Sequence, residues 1–247
     1  MFLNLDFFSI IIMLTAISLG GFLKGVISFG LPLIALPILS LALPPKPAIF
    51  LLFFSLIFVN IREIKFKNIK SYQKVTPLLF GIFFGVILGS FIFHKVEGDF
   101  ITKIIGLTII LFSVINYLGL KINSHLILKI YFSLLYGFFA GIIGGMTTIV
   151  GPLLLIYLVS LNLKKEAFSE LVSLCLFCCL IPLYGMFFFY QNVTFHDLLI
   201  SIIFSIPAVL MQFLGFKIRR VIPQTAFKNI TLFTLIIIGF LVLYKSW

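Results

Sequence analysis

Apolar residues fill almost the whole chain in eight blocks, at about 7–43, 47–61, 75–93, 101–119, 126–160, 167–190, 197–216 and 226–244. Polar residues gather in the short gaps between them. Within a block the apolar residues run on without strict alternation, which predicts helices; a membrane β-barrel would show short alternating segments instead. A helix needs roughly 17–25 residues to cross a bilayer, and most of the blocks supply them. Blocks one and five are too long for one crossing. At about 1.5 Å per residue, the 37 residues of block one would reach about 55 Å, nearly twice the hydrocarbon thickness. Each must break or fold back. The predicted places are Gly30-Leu31-Pro32 in the first, and Gly144-Gly145 or Gly151-Pro152 in the second. Block two is short for a span. It is expected to continue as helix into the following loop, with Arg62 snorkelling to the interface.

The two long blocks carry the same motif. Residues 21–37 read GFLKGVISFGLPLIALP, and residues 137–152 read GFFAGIIGGMTTIVGP. Each opens with G-x-x-x-G (Gly21/Gly25 and Gly137/Gly141), adds small or polar residues, and closes on a proline, Pro37 or Pro152. Matching the glycines sets the halves 116 residues apart. Duplicated apolar segments interrupted by Gly and Pro point to the midplane binding site of a secondary transporter.

Composition narrows the class. Of 247 residues, 62% are hydrophobic and 10% charged, with a mean hydropathy of +1.28. A soluble domain is about 45–50% apolar and about 25% charged, so no aqueous fold buries this excess. The net charge of +11 sits in short loops beside the spans, as the positive-inside rule expects, and not in a basic domain for nucleic acid. The beginning of the chain, MFLNLDFFSI, lacks the positive region and cleavage site of a signal peptide, so the first span is expected to be retained. Cys175, Cys178 and Cys179 share one helical face with no His in their block and no carboxylate past Glu170 at its start; packing explains them better than a metal does.

The basic residues also set an expected topology. Loop 62–74 holds Arg62, Lys65, Lys67, Lys70 and Lys74 against one acid, Glu63, and loop 217–228 holds Lys217, Arg219, Arg220 and Lys228. Both are expected in the cytoplasm. Counting spans from them returns each long block to its own starting side, with 13 Lys and Arg inside, four outside and Lys24 within the membrane. The fold expected is all-α: a polytopic transmembrane bundle of about eight hydrophobic blocks in one compact membrane domain. Two inverted repeats, 1–119 and 120–247, each open with a broken or re-entrant helix.

The motifs resemble those of the TauE/SafE sulfite exporter family, also called the toluenesulfonate-uptake permeases. GVISFGLPLIALPIL (25–39) is similar to its first-repeat pattern, and GFFAGIIGGMTTIVGPLLLIYL (137–158) to its second-repeat signature. With the spacing of the other spans the resemblance covers essentially the whole chain. It implies an integral membrane carrier of sulfur-containing or other organic anions. Leu31-Pro32 stands where many members carry further glycines, and Lys24 is foreign to the pattern.

A helix broken at membrane depth turns free N–H groups and a positive dipole end into the gap, which makes an anion site without a full charge. The residues expected to bind substrate are accordingly Lys24, Gly25, Ser28, Gly30, Pro32, Gly141, Gly144, Gly145, Thr147, Thr148, Gly151, Pro152 and Gln212. Packing is the competing explanation for the G-x-x-x-G glycines. For Lys24 the alternatives are a cationic anchor for the anion and a snorkelling side chain. Asn60 and Asn116 are lesser candidates; Glu166, Glu170 and Asp197 fall at span ends, and His94, His125 and His196 in loops.

No H-E-x-x-H, paired intramembrane aspartates or G-x-S-x-G with a buried His is present, so the chain is not expected to be an enzyme. No P-loop and no cofactor are expected. The partners expected are a small anion and the lipid bilayer of the bacterial cytoplasmic membrane, without nucleic acid; homo-oligomerisation stays open. The alternatives are a carrier of a carboxylate or an amino-acid derivative, and a non-transport intramembrane protein.

Overall fold

The computed structural model describes residues 6–65, 69–117, 129–161, 163 and 165–219. Block eight, Lys67, Lys121, His125, Lys164, Arg220 and Lys228 lie outside the described residues, as do the side chains of Lys70, Asn116, Pro152, Lys165 and Glu166.

Every described element is a helix. Helix α1 (Phe7–Ile27) starts behind Asp6, whose carboxylate accepts the Ser9 amide at 3.2 Å and caps the first turn. It is followed by α2 (Leu31–Leu39), α3 (Pro45–Leu51), α4 (Phe53–Ile61), α5 (Ile69–Lys95) and α6 (Gly98–Tyr117). The second half holds α7 (Ile130–Thr147), α8 (Gly151–Val159), α9 (Lys165–Tyr190) and α10 (Phe195–Arg219). Five of these are long and apolar enough to cross a membrane. The lipid-facing side is plain on α5, where Phe80, Phe84, Leu88 and Phe91 are all exposed along one stripe.

Both long blocks break, the first on the expected Gly30 but starting two residues before it, and the second just ahead of Gly151-Pro152 rather than on it or at Gly144-Gly145. The first turns at Ser28–Gly30 and the second at Thr148–Val150. Pro32 and Gly151-Pro152 instead open the next helix, where proline's missing N–H costs nothing. Gly144 and Gly145 lie inside α7. After each break the chain folds back on itself. A Cβ built on Gly20 would meet Leu31 and Ala35. In the second hairpin Tyr136 Oη donates to the Leu153 carbonyl at 2.8 Å, and Ser133 Oγ lies 2.7 Å from Tyr157 Oη.

The break also corrects the repeat register. Ile27 and Thr147 end their helices 120 residues apart, and Leu31 and Gly151 begin theirs at the same spacing. Gly21 and Gly25 therefore correspond to Gly141 and Gly145, one turn beyond the pairing read from the sequence. The cause is that Gly137, Gly141 and Gly145 form a ladder of period four, which matches itself when slid by one turn.

Block two differs as well. Its helix begins at Pro45, is interrupted at Leu52, and stops at Ile61 without entering the basic loop. Ser201 on α10 serves the interruption, accepting the Phe54 amide at 3.2 Å and donating to the Leu51 carbonyl at 3.0 Å. Such repair is what an irregular turn at membrane depth requires. Arg62 stacks on Phe213, its guanidinium carbon 3.1 Å from the ring centroid.

Helix pairs are set by glycine. Gly81, Gly85 and Gly89 of α5 interleave with Gly137, Gly141 and Gly145 of α7, each meeting partner backbone. Gly21 and Gly25 of α1 meet Ala208, Gln212 and Gly215 of α10 in the same way. Lipid tails are as apolar as leucine, so close backbone approach supplies the attraction that burial cannot. In both pairs residue numbers rise together, so the helices are parallel. Phe54–Ser201 and Val59–Gln212 make α4 parallel to α10. Ile49–Tyr184 and Glu63–Ser173, one from α3 and one just past α4, make the α3–α4 segment antiparallel to α9, and Tyr72–Glu170 with His94–Gln191 make α5 parallel to α9.

Candidate functional site

The two breaks meet. Phe29, in the first turn, packs on Gly151, the first residue of α8; a Cβ there would lie 3.1 Å from Phe29 Cδ2 and 3.3 Å from its Cβ. Both turns hold a non-glycine residue in the left-handed region, Ser28 at φ 70° and Thr148 at φ 59°. Such residues cost of order 1–3 kcal/mol each and collect at functional sites. Each ends its helix with a backbone bond, from the Ser28 amide to the Lys24 carbonyl (2.9 Å) and from the Thr148 amide to the Gly144 carbonyl (2.7 Å). Helices α2 and α8 then begin at the meeting point. Their first-turn amides have no partner within the helix and carry the positive end of its dipole.

A polar layer lies beside the first break. Lys24 is 1% exposed and its ammonium uses all three donors: to the Ser28 carbonyl (2.5 Å), Ser173 Oγ (2.8 Å) and Glu63 Oε2 (3.3 Å). Lys24 does not snorkel; it points into the bundle and forms an ion pair with Glu63. Ser173 Oγ donates to the same Glu63 oxygen at 2.5 Å, and Gln212 Nε2 reaches Glu63 Oε1 at 3.4 Å and the Val59 carbonyl at 2.9 Å. Ser28 Oγ lies 2.5 Å from Ser169 Oγ, which accepts from Arg219 Nη2 at 2.7 Å. A polar thread thus runs from α10's last turn to the first break. One turn along α9 from Ser173, Glu170 accepts the Lys65 amide (2.9 Å) and the Tyr72 hydroxyl. The other end of the bundle is aromatic: Phe50, Phe53, Tyr184 and Phe187 pack together, and His94 stacks on Tyr190.

The expected site residues separate into three groups. Lys24, Ser28 and Gln212 share the polar layer. Gly30 (φ 106°), Pro32, Thr148, Gly151 and Pro152 form the two turns or open the helices after them, and Thr147 is the last residue of α7 before the second turn. Thr147 Oγ1 donates to the Ile143 carbonyl and accepts the Ile149 amide, and Thr148 Oγ1 donates to the Thr147 carbonyl. Gly25, Gly141 and Gly145 lie in helix–helix seams, while Gly144 abuts Val150 within its own hairpin.

Glu63, Ser169, Ser173, Arg219 and Phe29 escaped the sequence reading. Two signals pointed to three of them: Glu63 is the lone acid of a loop with five bases, and Ser169 and Ser173 stand four apart near the start of an apolar helix. Among the described residues no group of three or more His, Cys, Asp or Glu could hold a metal ion, and Cys175 and Cys179 are buried free thiols.

No curated protein and no solved structure matches the chain. Its all-helical bundle with five membrane-length apolar helices is that of a multi-pass membrane protein. With residues 13–242 matching the family model described as sulfite exporter TauE/SafE, nearly from end to end, the chain belongs to that family.

Proposed function

We propose that the protein is a secondary carrier of small sulfur-containing or organic anions, of the sulfite or sulfonate type, not an enzyme, with its site where the two broken hairpins meet. The observation that carries this reading is the contact of Phe29 with Gly151 between two turns strained at Ser28 and Thr148. Two helix starts then face one place with the polarity an anion needs. Lys24, Ser28 and Gln212 supply the side chains on one flank.

The pairwise helix directions support two inverted halves, 1–119 and 120–247. Parallel α1 and α10, parallel α5 and α7, and the α3–α4 segment antiparallel to α9 bring the two hairpins in from opposite ends of the bundle. With the basic loops 62–74 and 217–228 in the cytoplasm, the first hairpin enters from outside and the second from the cytoplasm. The membrane is taken to be the bacterial cytoplasmic membrane.

The test is flux in proteoliposomes with sulfite, methanesulfonate, taurine and acetate. Wild-type protein is expected to carry sulfite or a sulfonate well above protein-free liposomes. Gly151→Leu drives a side chain into Phe29 and is expected to cut that flux at least about tenfold while the protein stays folded. Folded wild-type protein that carried none of these anions would sink the proposal.

A further inference from the structure

Lys24 is the buried cation nearest the first break, yet Glu63 already cancels its charge. A monovalent anion entering this layer would leave one negative charge in excess among buried side chains. A proton on Glu63 removes the excess. The carboxyl becomes neutral, Lys24 remains a cation, and the incoming anion pairs with it. We infer that Glu63 is the coupling residue of the carrier, taking up one proton with each anion charge bound beside Lys24, so that proton and anion cross together. This rests on the reading of the protein as an anion carrier.

The geometry suits such an exchange. Glu63 is 7% exposed and stands two residues past the end of α4, after its C-cap Arg62. Its shortest bond is from Ser173 Oγ at 2.5 Å; those from Lys24 and Gln212 are longer, at 3.3 and 3.4 Å. A serine hydroxyl donates or accepts, so the Ser173 bond survives protonation with its direction reversed. Gln212 Oε1 is a second acceptor in the layer, buried and without a partner among the described residues. The longer Lys24 bond is the one the anion replaces, while the Ser28 carbonyl and Ser173 keep the ammonium in place.

Other charged and titratable groups do not offer the same exchange. From α1 only Lys24 reaches the carboxylate. From α10 there are Gln212 and, through Ser169 and Ser28, Arg219. From α9 there is Ser173, with Glu170 a turn away and held by Tyr72 of α5 and the Lys65 amide. On Glu63's own segment Arg62 is stacked on Phe213. Glu63 is thus the carboxylate that touches Lys24.

The experiment loads proteoliposomes with wild-type protein, clamps the membrane potential at zero with potassium and valinomycin, and follows labelled sulfite under an imposed pH gradient. One coupled proton predicts about tenfold accumulation in the alkaline lumen per pH unit. Glu63→Gln is expected to equilibrate the label without accumulating it, a steady-state ratio near one that does not depend on rate. Should that variant not fold, Glu63→Ala, which keeps Lys24 and leaves room for water beside its ammonium, is expected to show the same loss. Wild-type flux indifferent to the gradient, or accumulation that persists in the folded variant, overturns the inference and leaves the carrier reading intact. No wild-type sulfite flux at all would instead overturn the carrier reading and the inference with it.

Discussion

Gly141→Ala and Gly185→Ala make the same chemical change in helices of the same bundle, yet the structure assigns them opposite signs. A Cβ on Gly141 would lie 2.5 Å from the Ile82 carbonyl oxygen, 2.9 Å from the Val86 amide nitrogen and 3.0 Å from Gly85 Cα. Ordinary contact begins at 3.4 Å, so the methyl is about 0.9 Å too close, and every obstructing atom is backbone. A side chain could rotate away; a helix cannot. Helices α5 and α7 must part by a comparable distance, and a gap of 0.5–1 Å forfeits about a quarter to a half of each dispersion contact along the seam. Overpacking of this kind costs about 1–3 kcal/mol. Around Gly185 nothing lies within 4 Å, so its methyl meets open space and adds helix propensity worth up to about 1 kcal/mol. The two variants should differ by about 1–4 kcal/mol. Thermal unfolding of the detergent-solubilised protein, followed by circular dichroism, measures the gap. Equal midpoints, or a Gly141→Ala midpoint at or above wild type, would refute the seam as the source of helix pairing.

Other expectations follow from single contacts. Lys24→Met strands the Glu63 carboxylate in the bundle and should cost about 3–5 kcal/mol; adding Glu63→Gln should recover part of it, a non-additivity visible in a double-mutant cycle of unfolding midpoints. Thr148→Gly relieves a left-handed β-branched residue and should raise stability by about 1 kcal/mol, whereas Thr148→Val keeps the strain, loses the hydroxyl bond and should lower it, by the same thermal assay. For topology, Glu97→Cys and Lys65→Cys sit at exposed positions beyond opposite ends of α5. In intact cells a membrane-impermeant maleimide should label the first and spare the second; the reverse pattern would invert the proposed orientation.

How far the chain could be read in advance depended on whether a feature was local. The helical class followed from continuous apolar blocks, since a lipid-exposed backbone must satisfy its own hydrogen bonds. Family membership followed from two glycine-rich motifs, and the need for breaks in blocks one and five followed from length alone. The place of each break followed only in part. Gly30 was among the candidates and lies in the first turn, but the turns run over Ser28–Gly30 and Thr148–Val150, because Pro32 and Pro152 are better used to open a helix than to end one. The repeat register slipped by a turn for a related reason: a four-residue glycine ladder looks alike at every rung, and only the strained turn fixes which rung is which.

The site divides along the same line. Sequence alone marked Lys24 as a charge that an apolar block has to accommodate, and it marked the small residues around each break. What Lys24 does with its charge depends on Glu63, 39 positions away, and on Ser173, 149 positions away. Being the lone acid among five bases singles Glu63 out in loop 62–74, but nothing in the local pattern says that it is buried against Lys24. Pairing across helices is decided by which faces the glycine seams bring together, and that is a property of the packed bundle. The sequence determined that this chain crosses a membrane with two broken hairpins, because length and hydrophobicity act residue by residue. Tertiary structure decided that the breaks meet at Phe29 and Gly151 and that the buried lysine is neutralised beside them, because those outcomes depend on distances between segments far apart in the chain.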